Sequence, residues 1–171
     1  MQGKKRLFGC AATMLVSALT LFVAAAAADQ LSGTWKMNAE KSKYSPGPAP
    51  KSLTVVVESD DNNYKMDATG TDSDGKPLHV QYGAKFDGKD HPATGIANAD
   101  SVSIRRIDAN TVETLQKKDG KVVMTITSTT SKDGKTRTST WRGKNAEGKD
   151  VHNVGCSTDG KSGETRVSTR A

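Results

Sequence analysis

Cysteine and histidine are scarce in this chain of 171 residues, which contains two Cys and three His. Cys10 lies in an N-terminal segment that we expect to be removed, so Cys156 has no partner for an intramolecular disulfide and the fold must rely on its hydrophobic core. His79, His91 and His152 are far apart and show none of the spacings of a zinc site. We therefore expect no bound metal and no cofactor.

Sequence signatures of catalysis are also missing. The chain has no Gly-x-Ser-x-Gly elbow, no phosphate-binding loop and no dinucleotide fingerprint. Its carboxylates are concentrated in turn sequences, where Asp hydrogen-bonds the neighbouring backbone. We therefore expect no catalytic residues and no enzymatic activity.

The first 28 residues differ in composition from the rest. A basic segment at residues 4–6 is followed by a mostly apolar segment at 7–23 and by alanines at 24–28. This order is typical of a secretory signal peptide, and we expect cleavage after Ala28. The alternative is an uncleaved anchor, since residues 7–28 are almost long enough to span a bilayer. We expect a bacterial protein that is periplasmic or secreted, with no stable membrane insertion after cleavage.

The charge of the exported part is close to balanced. Three of the 25 Lys and Arg residues and none of the 19 acidic residues lie in the signal segment, so its removal lowers the formal net charge from +6 to +3. The remaining charges alternate in sign, whereas a surface that binds nucleic acid concentrates basic residues. We expect a soluble monomer that does not bind nucleic acid.

An acidic residue followed by Gly and Lys recurs six times along the chain. Asp-Gly suits the two central positions of a type I′ turn, which require positive φ and match the twist of a β-hairpin. The six sites are Asp74-Gly75-Lys76, Asp87-Gly88-Lys89, Asp119-Gly120-Lys121, Asp133-Gly134-Lys135, Glu147-Gly148-Lys149 and Asp159-Gly160-Lys161. They predict antiparallel strands joined by tight hairpins.

The segments between these turns alternate between apolar and polar residues. Leu78, Val80 and Tyr82 share one face of a predicted strand, with His79 and Gln81 on the other, and a period of two indicates a half-buried strand. About ten such strands are predicted, and the only helical element is one short turn at residues 39–42. Because closure removes exposed edges, the sequence predicts an all-β fold, an antiparallel up-and-down β-barrel of about ten strands.

The predicted barrel occupies residues 29–171 as a single domain. The proline-rich residues 45–50 are expected to cross one end of the barrel as an extended connector. Residues 151–156 are the expected closing strand. Residues 157–171 are expected to be a frayed tail, and the alternative is one further strand at residues 164–170.

Several stretches resemble lipocalins and related calycins. Gly33-Thr34-Trp35 matches the Gly-x-Trp signature of those proteins. In combination, further stretches resemble a functionally uncharacterised group of small exported bacterial proteins with a lipocalin-like (calycin-like) β-barrel. These stretches are residues 33–38, 41–44, 46–51, 82–90, 99–103 and 106–108. The resemblance covers residues 31–154 and implies a lipocalin-like fold and an exported location, but it supplies no catalytic residues.

The resemblance also implies structural roles for Gly33 and Trp35. The Trp35 ring would close one end of the barrel, with its indole N–H bonded to an acceptor. The alternative role for Trp35 is contact with a ligand. For Trp141 we likewise expect a packing role.

The candidate binding residues are apolar side chains expected to face the barrel interior. A barrel of this size either fills with side chains or holds one small apolar ligand, so we expect a small hydrophobic ligand as the partner. The predicted binding residues are Tyr64, Met66, Leu78, Val80, Tyr82, Ile104, Met124 and Ile126. The alternative is a packed barrel that serves as a structural or protein-interaction module of the cell envelope, and the volume of the interior distinguishes the two.

Overall fold

A computed structural model describes residues 29–160 and contains ten β-strands. The predicted signal peptide with its cleavage site, and the tail from residue 161 onward, lie outside the described residues. The strands are β1 Gly33–Lys43, β2 Ser52–Ser59, β3 Asn63–Thr71, β4 Pro77–Lys85, β5 His91–Thr94, β6 Ser101–Arg106, β7 Thr111–Lys118, β8 Lys121–Thr130, β9 Thr136–Lys144 and β10 Asp150–Asp159.

The ten strands form one closed antiparallel barrel in which each strand pairs with its neighbours in sequence. Strand β1 closes the barrel against β10, with Trp35 opposite Asp159 and Met37 opposite Ser157. This confirms the predicted fold class. The expected tail starts too early, however, because residues 157–159 pair with β1 and belong to the barrel wall. Between residues 29 and 160, no helix is long and apolar enough to cross a membrane.

The short helical turn predicted at residues 39–42 is wrong, since these residues lie in β1. The register with β10 shifts between Asn38 and Lys43, and the Asn38 side chain accepts a hydrogen bond from the Lys41 amide at 3.1 Å. Asn38 therefore makes the local bond expected of a helix cap. That bond occurs in a strand irregularity because the flanking backbone is already paired with β10.

In five of the six acidic-Gly-Lys sequences the acidic residue and the glycine lie between consecutive strands, whereas Asp159 of the sixth belongs to β10. Four of the five form turns of two kinds. Only Asp119-Gly120 has positive φ at both positions, 50° and 74°, and it joins β7 to β8 as the predicted type I′ turn. Gly75, Gly134 and Gly148 each occupy the fourth position of a five-residue loop, and the residue before each glycine lacks a positive φ. In these loops the turn begins at the first loop residue and not at the acidic residue that precedes the glycine.

One end of the barrel is filled by side chains, and we call it the closed end. The chain enters there, and Leu31, which is 0% exposed, lies inside the end of the barrel. Trp35, Val57, Ile104 and Val112 pack in the same buried cluster. Trp35 lies between Thr34 and the exposed Lys36, and Val112 lies between Thr111 and Glu113, so the period-two pattern places these side chains in the core.

The pairing around the barrel is uneven. Strand β5 has four residues and pairs through only two residues with each of its neighbours, whereas β9 and β10 share nine paired positions. Gly95 follows β5, and a Cβ there would lie 2.0 Å from the His79 carbonyl oxygen of β4. The segment of β4, β5 and β6, which we call the β5 seam, is therefore held by few backbone bonds.

Candidate functional site

The interior contains a cavity of about 260 Å³ between the closed end and the opposite end of the barrel, which we call the mouth. Residues of eight strands and of two connecting segments line it. The lining residues are Trp35, Met37, Tyr44, Pro50, Leu53, Val55, Tyr64, Met66, Ala68, Leu78, Val80, Tyr82, Ile96, Gln116, Ile126, Ser128, Arg137, Ser139, Trp141, Asn153, Gly155 and Ser157. The barrel therefore has internal space for a small molecule.

One wall of the cavity is apolar and is formed by β2, β3 and β4. Leu53 and Val55 project from β2, Met66 from β3, and Leu78 and Val80 from β4. The antiparallel register places Val55 opposite Ala68 and Ala68 opposite Val80, so the inward residues of the three strands form continuous rows. We call this surface the apolar wall.

The facing wall carries hydroxyl and amide groups from β8, β9 and β10. Ser128 and Ser139 are joined by a hydrogen bond of 2.7 Å between their hydroxyls, and Ser157 follows on β10. The Asn153 side-chain carbonyl accepts a hydrogen bond from the Ser45 amide at 2.8 Å. We call this surface the polar wall, and together the two walls make the cavity amphipathic.

Arg137 and Trp35 lie where the cavity meets the closed end. Arg137 is 5% exposed, and its guanidinium donates to the Tyr64 hydroxyl at 2.9 Å and to the Leu31 carbonyl at 3.5 Å. It also lies 6.0 Å from the centroid of the Trp35 ring, within the range of a cation–π contact. The acceptor expected for the Trp35 indole N–H is not found among the described residues.

Gly33 leaves room for the Trp35 ring. A Cβ at this glycine would lie 3.1 Å from two carbons of the indole, closer than ordinary contact. The Gly-x-Trp pair therefore acts as one packing unit.

A second arginine, Arg106, is ion-paired at the closed end. Its guanidinium contacts the Asp29 carboxylate and the Ser59 hydroxyl, and it lies 4.6 Å from the centroid of the Phe86 ring. Burial by itself raises the pKa of the Asp29 carboxyl, but hydrogen bonds from Arg106, the Leu31 amide and Ser59 outweigh that effect and hold the pKa below 3.8. The first described residue is thus bonded to β6.

Two aromatic rings flank the mouth. Tyr44 and Trp141 stack with centroids 6.5 Å apart and planes inclined by 29°. Gly155 permits this packing, since a Cβ there would lie 2.8 Å from the Trp141 ring. Pro50 and Ile96, from two connecting segments, complete the rim. Trp141, for which packing was expected, therefore also forms part of the cavity lining.

Tyr82 is buried beside Tyr64, and the two rings stack with centroids 6.5 Å apart. Burial and the neighbouring Tyr64 raise the pKa of the Tyr82 phenol, against smaller opposing effects of a Thr114 hydrogen bond and of Arg137. Tyr82 is therefore a neutral phenol at physiological pH and supplies no negative charge to the cavity.

Six of the eight predicted binding residues line the cavity: Tyr64, Met66, Leu78, Val80, Tyr82 and Ile126. Ile104 does not, because it is 0% exposed and packs in the closed-end cluster. Met124 does not line the cavity either, although it shares the inner face of β8 with Ile126.

The sequence predictions missed Arg137 and the polar wall. Trp141, Ser139 and Arg137 are spaced by two residues on β9, so a strand that turns Trp141 inward must also turn Arg137 inward. That signal was present in the sequence. It was overlooked because the prediction selected only apolar residues for the interior.

The histidines lie away from the cavity lining. His79 contacts Asp67 on the outer face at 3.1 Å, and His91 contacts Asp87 at 3.3 Å. His152 is exposed on β10. Among residues 29–160, no three His, Cys, Asp or Glu side chains come together as a metal-binding group.

The fold and cavity define a closed ten-stranded antiparallel β-barrel with an amphipathic interior. No known protein family matches the chain by its sequence profile, and no curated protein matches its sequence.

Proposed function

We propose that this protein is an exported, lipocalin-like barrel that binds one small hydrophobic molecule in its cavity and is not an enzyme. The observation that carries the proposal is the internal cavity of about 260 Å³. An interior filled by side chains would favour the alternative, a structural or protein-interaction module of the cell envelope.

The cavity size limits the ligand. It is slightly below the range of about 300–1,000 Å³ typical of drug-sized ligands. It exceeds the roughly 150 Å³ of an engineered apolar cavity that binds benzene. A single ring with a short substituent, or a medium-length aliphatic chain, fits these limits.

Native mass spectrometry of the protein, purified gently after expression of the full-length chain in a bacterium, tests the proposal. We expect a co-purifying small molecule, or binding of an added medium-chain lipid at one molecule per chain. The same spectrum tests export, because cleavage after Ala28 gives a polypeptide that begins at Asp29. A barrel that retains no molecule and binds none of the added lipids would support the structural alternative.

A pair of variants locates the binding site. Ala68 faces the cavity, whereas Thr69, the next residue of β3, is exposed on the outer face. We expect Ala68→Leu to weaken binding by about tenfold or more by occupying ligand space, and Thr69→Leu to have no effect. Circular dichroism of both variants checks that the barrel is intact. Equal binding by the two variants would place the ligand outside the cavity.

A further inference from the structure

Arg106 and Arg137 both lie at the closed end of the barrel, and their surroundings differ. Arg106 forms an ion pair with Asp29. Arg137 has no carboxylate oxygen of any described residue within 4.0 Å of its nitrogens. The two groups that accept hydrogen bonds from its guanidinium, the Tyr64 hydroxyl and the Leu31 carbonyl, are both neutral. The Arg106 charge is therefore paired, whereas Arg137 has no counter-charge among residues 29–160.

An unpaired buried charge is unfavourable, because the protein interior solvates it less well than water does. Guanidinium carries five N–H donors in a fixed planar arrangement, and the two hydrogen bonds above use two of them. Arg137 also lines the cavity. Donors remain for a group that enters the cavity, and an anionic acceptor would give the shortest and strongest hydrogen bonds.

The position of Arg137 determines how such a ligand would lie. The guanidinium is next to the closed end, while Leu53 and Leu78 of the apolar wall lie toward the mouth. A ligand with its charged group at Arg137 would extend an apolar portion along that wall. Ser128 and Ser139 of the polar wall stand beside its path and can hydrogen-bond polar substituents.

We propose that Arg137 is the head-group subsite of this cavity and binds the carboxylate of a small amphiphilic acid. A carboxylate matches the planar fork of a guanidinium. The inference rests on the proposed ligand-binding function and narrows it from hydrophobic molecules to carboxylic acids with an apolar tail. Arg137 serves as a binding residue, and no covalent step is involved.

Isothermal titration calorimetry with octanoate and with 1-octanol tests the subsite. The protein is purified after expression of the full-length chain. The two probes share an eight-carbon chain and differ in charge. We expect octanoate to bind at least about tenfold more tightly than 1-octanol. Its carboxylate accepts charge-assisted hydrogen bonds from Arg137 and supplies the missing counter-charge. Equal binding of the two probes overturns the role of Arg137 but leaves the proposed function intact. Absence of binding by both probes, together with an empty cavity in the mass spectrum, overturns the proposed function itself.

Variants separate the guanidinium from general charge effects. Arg142 is on the same strand but exposed on the outer face, so Arg142→Met removes the same charge away from the cavity. We expect Arg137→Met to abolish the preference for octanoate while retaining octanol binding, and Arg142→Met to keep the preference. A preference that survives Arg137→Met would overturn the proposal. If Arg137→Met does not fold, the octanoate-to-octanol ratio of the unaltered protein decides the question alone.

Discussion

At the scale of single residues, the closed end depends on a polar contact made by the first described residue. Asp29 is 11% exposed at its side chain and accepts hydrogen bonds from Arg106, Ser59 and the Leu31 amide. These bonds hold its pKa below 3.8, so the ionised carboxylate is favoured in the folded state. Stability and pH are therefore linked through this residue.

We predict that Asp29→Asn lowers the free energy of unfolding at pH 7 by about 1.5–3 kcal/mol, the range for hydrogen bonds to a charged group. Because the folded-state pKa is lowered, the stabilisation is present above about pH 4 and is lost as the pH falls through that folded-state pKa. Urea unfolding of both proteins from pH 7 down to about pH 2 should show the difference shrinking with acid.

Asp61→Asn is the matched control, since Asp61 is exposed in the neighbouring loop and takes part in no ion pair within the described residues. It should change stability little at any pH. A difference between the original protein and Asp29→Asn that stays constant to the lowest pH would contradict the assigned role of the carboxylate.

The sequence predicted correctly which side chains face inward, because the period-two pattern alone determines orientation. It did not predict how deep in the barrel an inward side chain lies. Period two correctly turned Tyr82 and Ile104 inward. It could not show that Ile104 lies below the cavity, because depth depends on strand tilt and on Leu31, which precedes β1 and fills the end of the barrel. Arg137 was missed for another reason, namely that a charged residue was assumed to face solvent.

At the scale of elements, the turns fix how neighbouring strands meet. The two-residue turn Asp119-Gly120 needs positive φ at both positions, and Gly120 has a φ of 74°. A Cβ at Gly120 would meet no atom within 4 Å, so only backbone strain opposes a side chain there.

We predict that Gly120→Ala lowers the free energy of unfolding by about 1–2 kcal/mol, the strain of a left-handed conformation for a residue with Cβ. Gly83→Ala is the control, because Gly83 lies in β4 without a positive φ and the nearest atom to its Cβ would be 3.9 Å away. That variant should be neutral or slightly stabilising. Urea denaturation measures both, and equal effects would show that the φ of Gly120 carries no strain.

Turn positions were predictable from sequence, but turn types were only partly so. Asp-Gly identified where chain reversals occur, yet loop length selects the turn type. In the loop at residues 131–135, Ser131 accepts and donates the bonds that close the turn, and only Gly134 needs positive φ. Loop length follows from strand register, which the short motif does not encode.

At the scale of the whole molecule, the barrel is closed but not uniformly strong. The β5 seam has two paired positions on each side, and Ile96 beside it lines the cavity. Few backbone bonds mean a low free energy of local opening.

We predict that hydrogen exchange is fastest, among the strand amides, in β5 and in the part of β4 that faces it. Amides shared by β9 and β10, and those shared by β3 and β4, should be the slowest, because each of these strand pairs has nine paired positions. Exchange measured by mass spectrometry with peptide resolution checks this order. Uniform protection around the barrel, or earliest exchange at β9 and β10, would contradict it.

Strands β1 and β10, which close the barrel, bring both ends of the described chain to the closed end. Trp35 near the start of β1 lies opposite Asp159 at the end of β10, so the chain enters and leaves the described barrel at the closed end. A tether or fusion partner joined at residue 29 or at residue 160 is therefore attached at the closed end, opposite Tyr44 and Trp141 at the mouth. Immobilisation at residue 29 or at residue 160 would present the mouth to the solution.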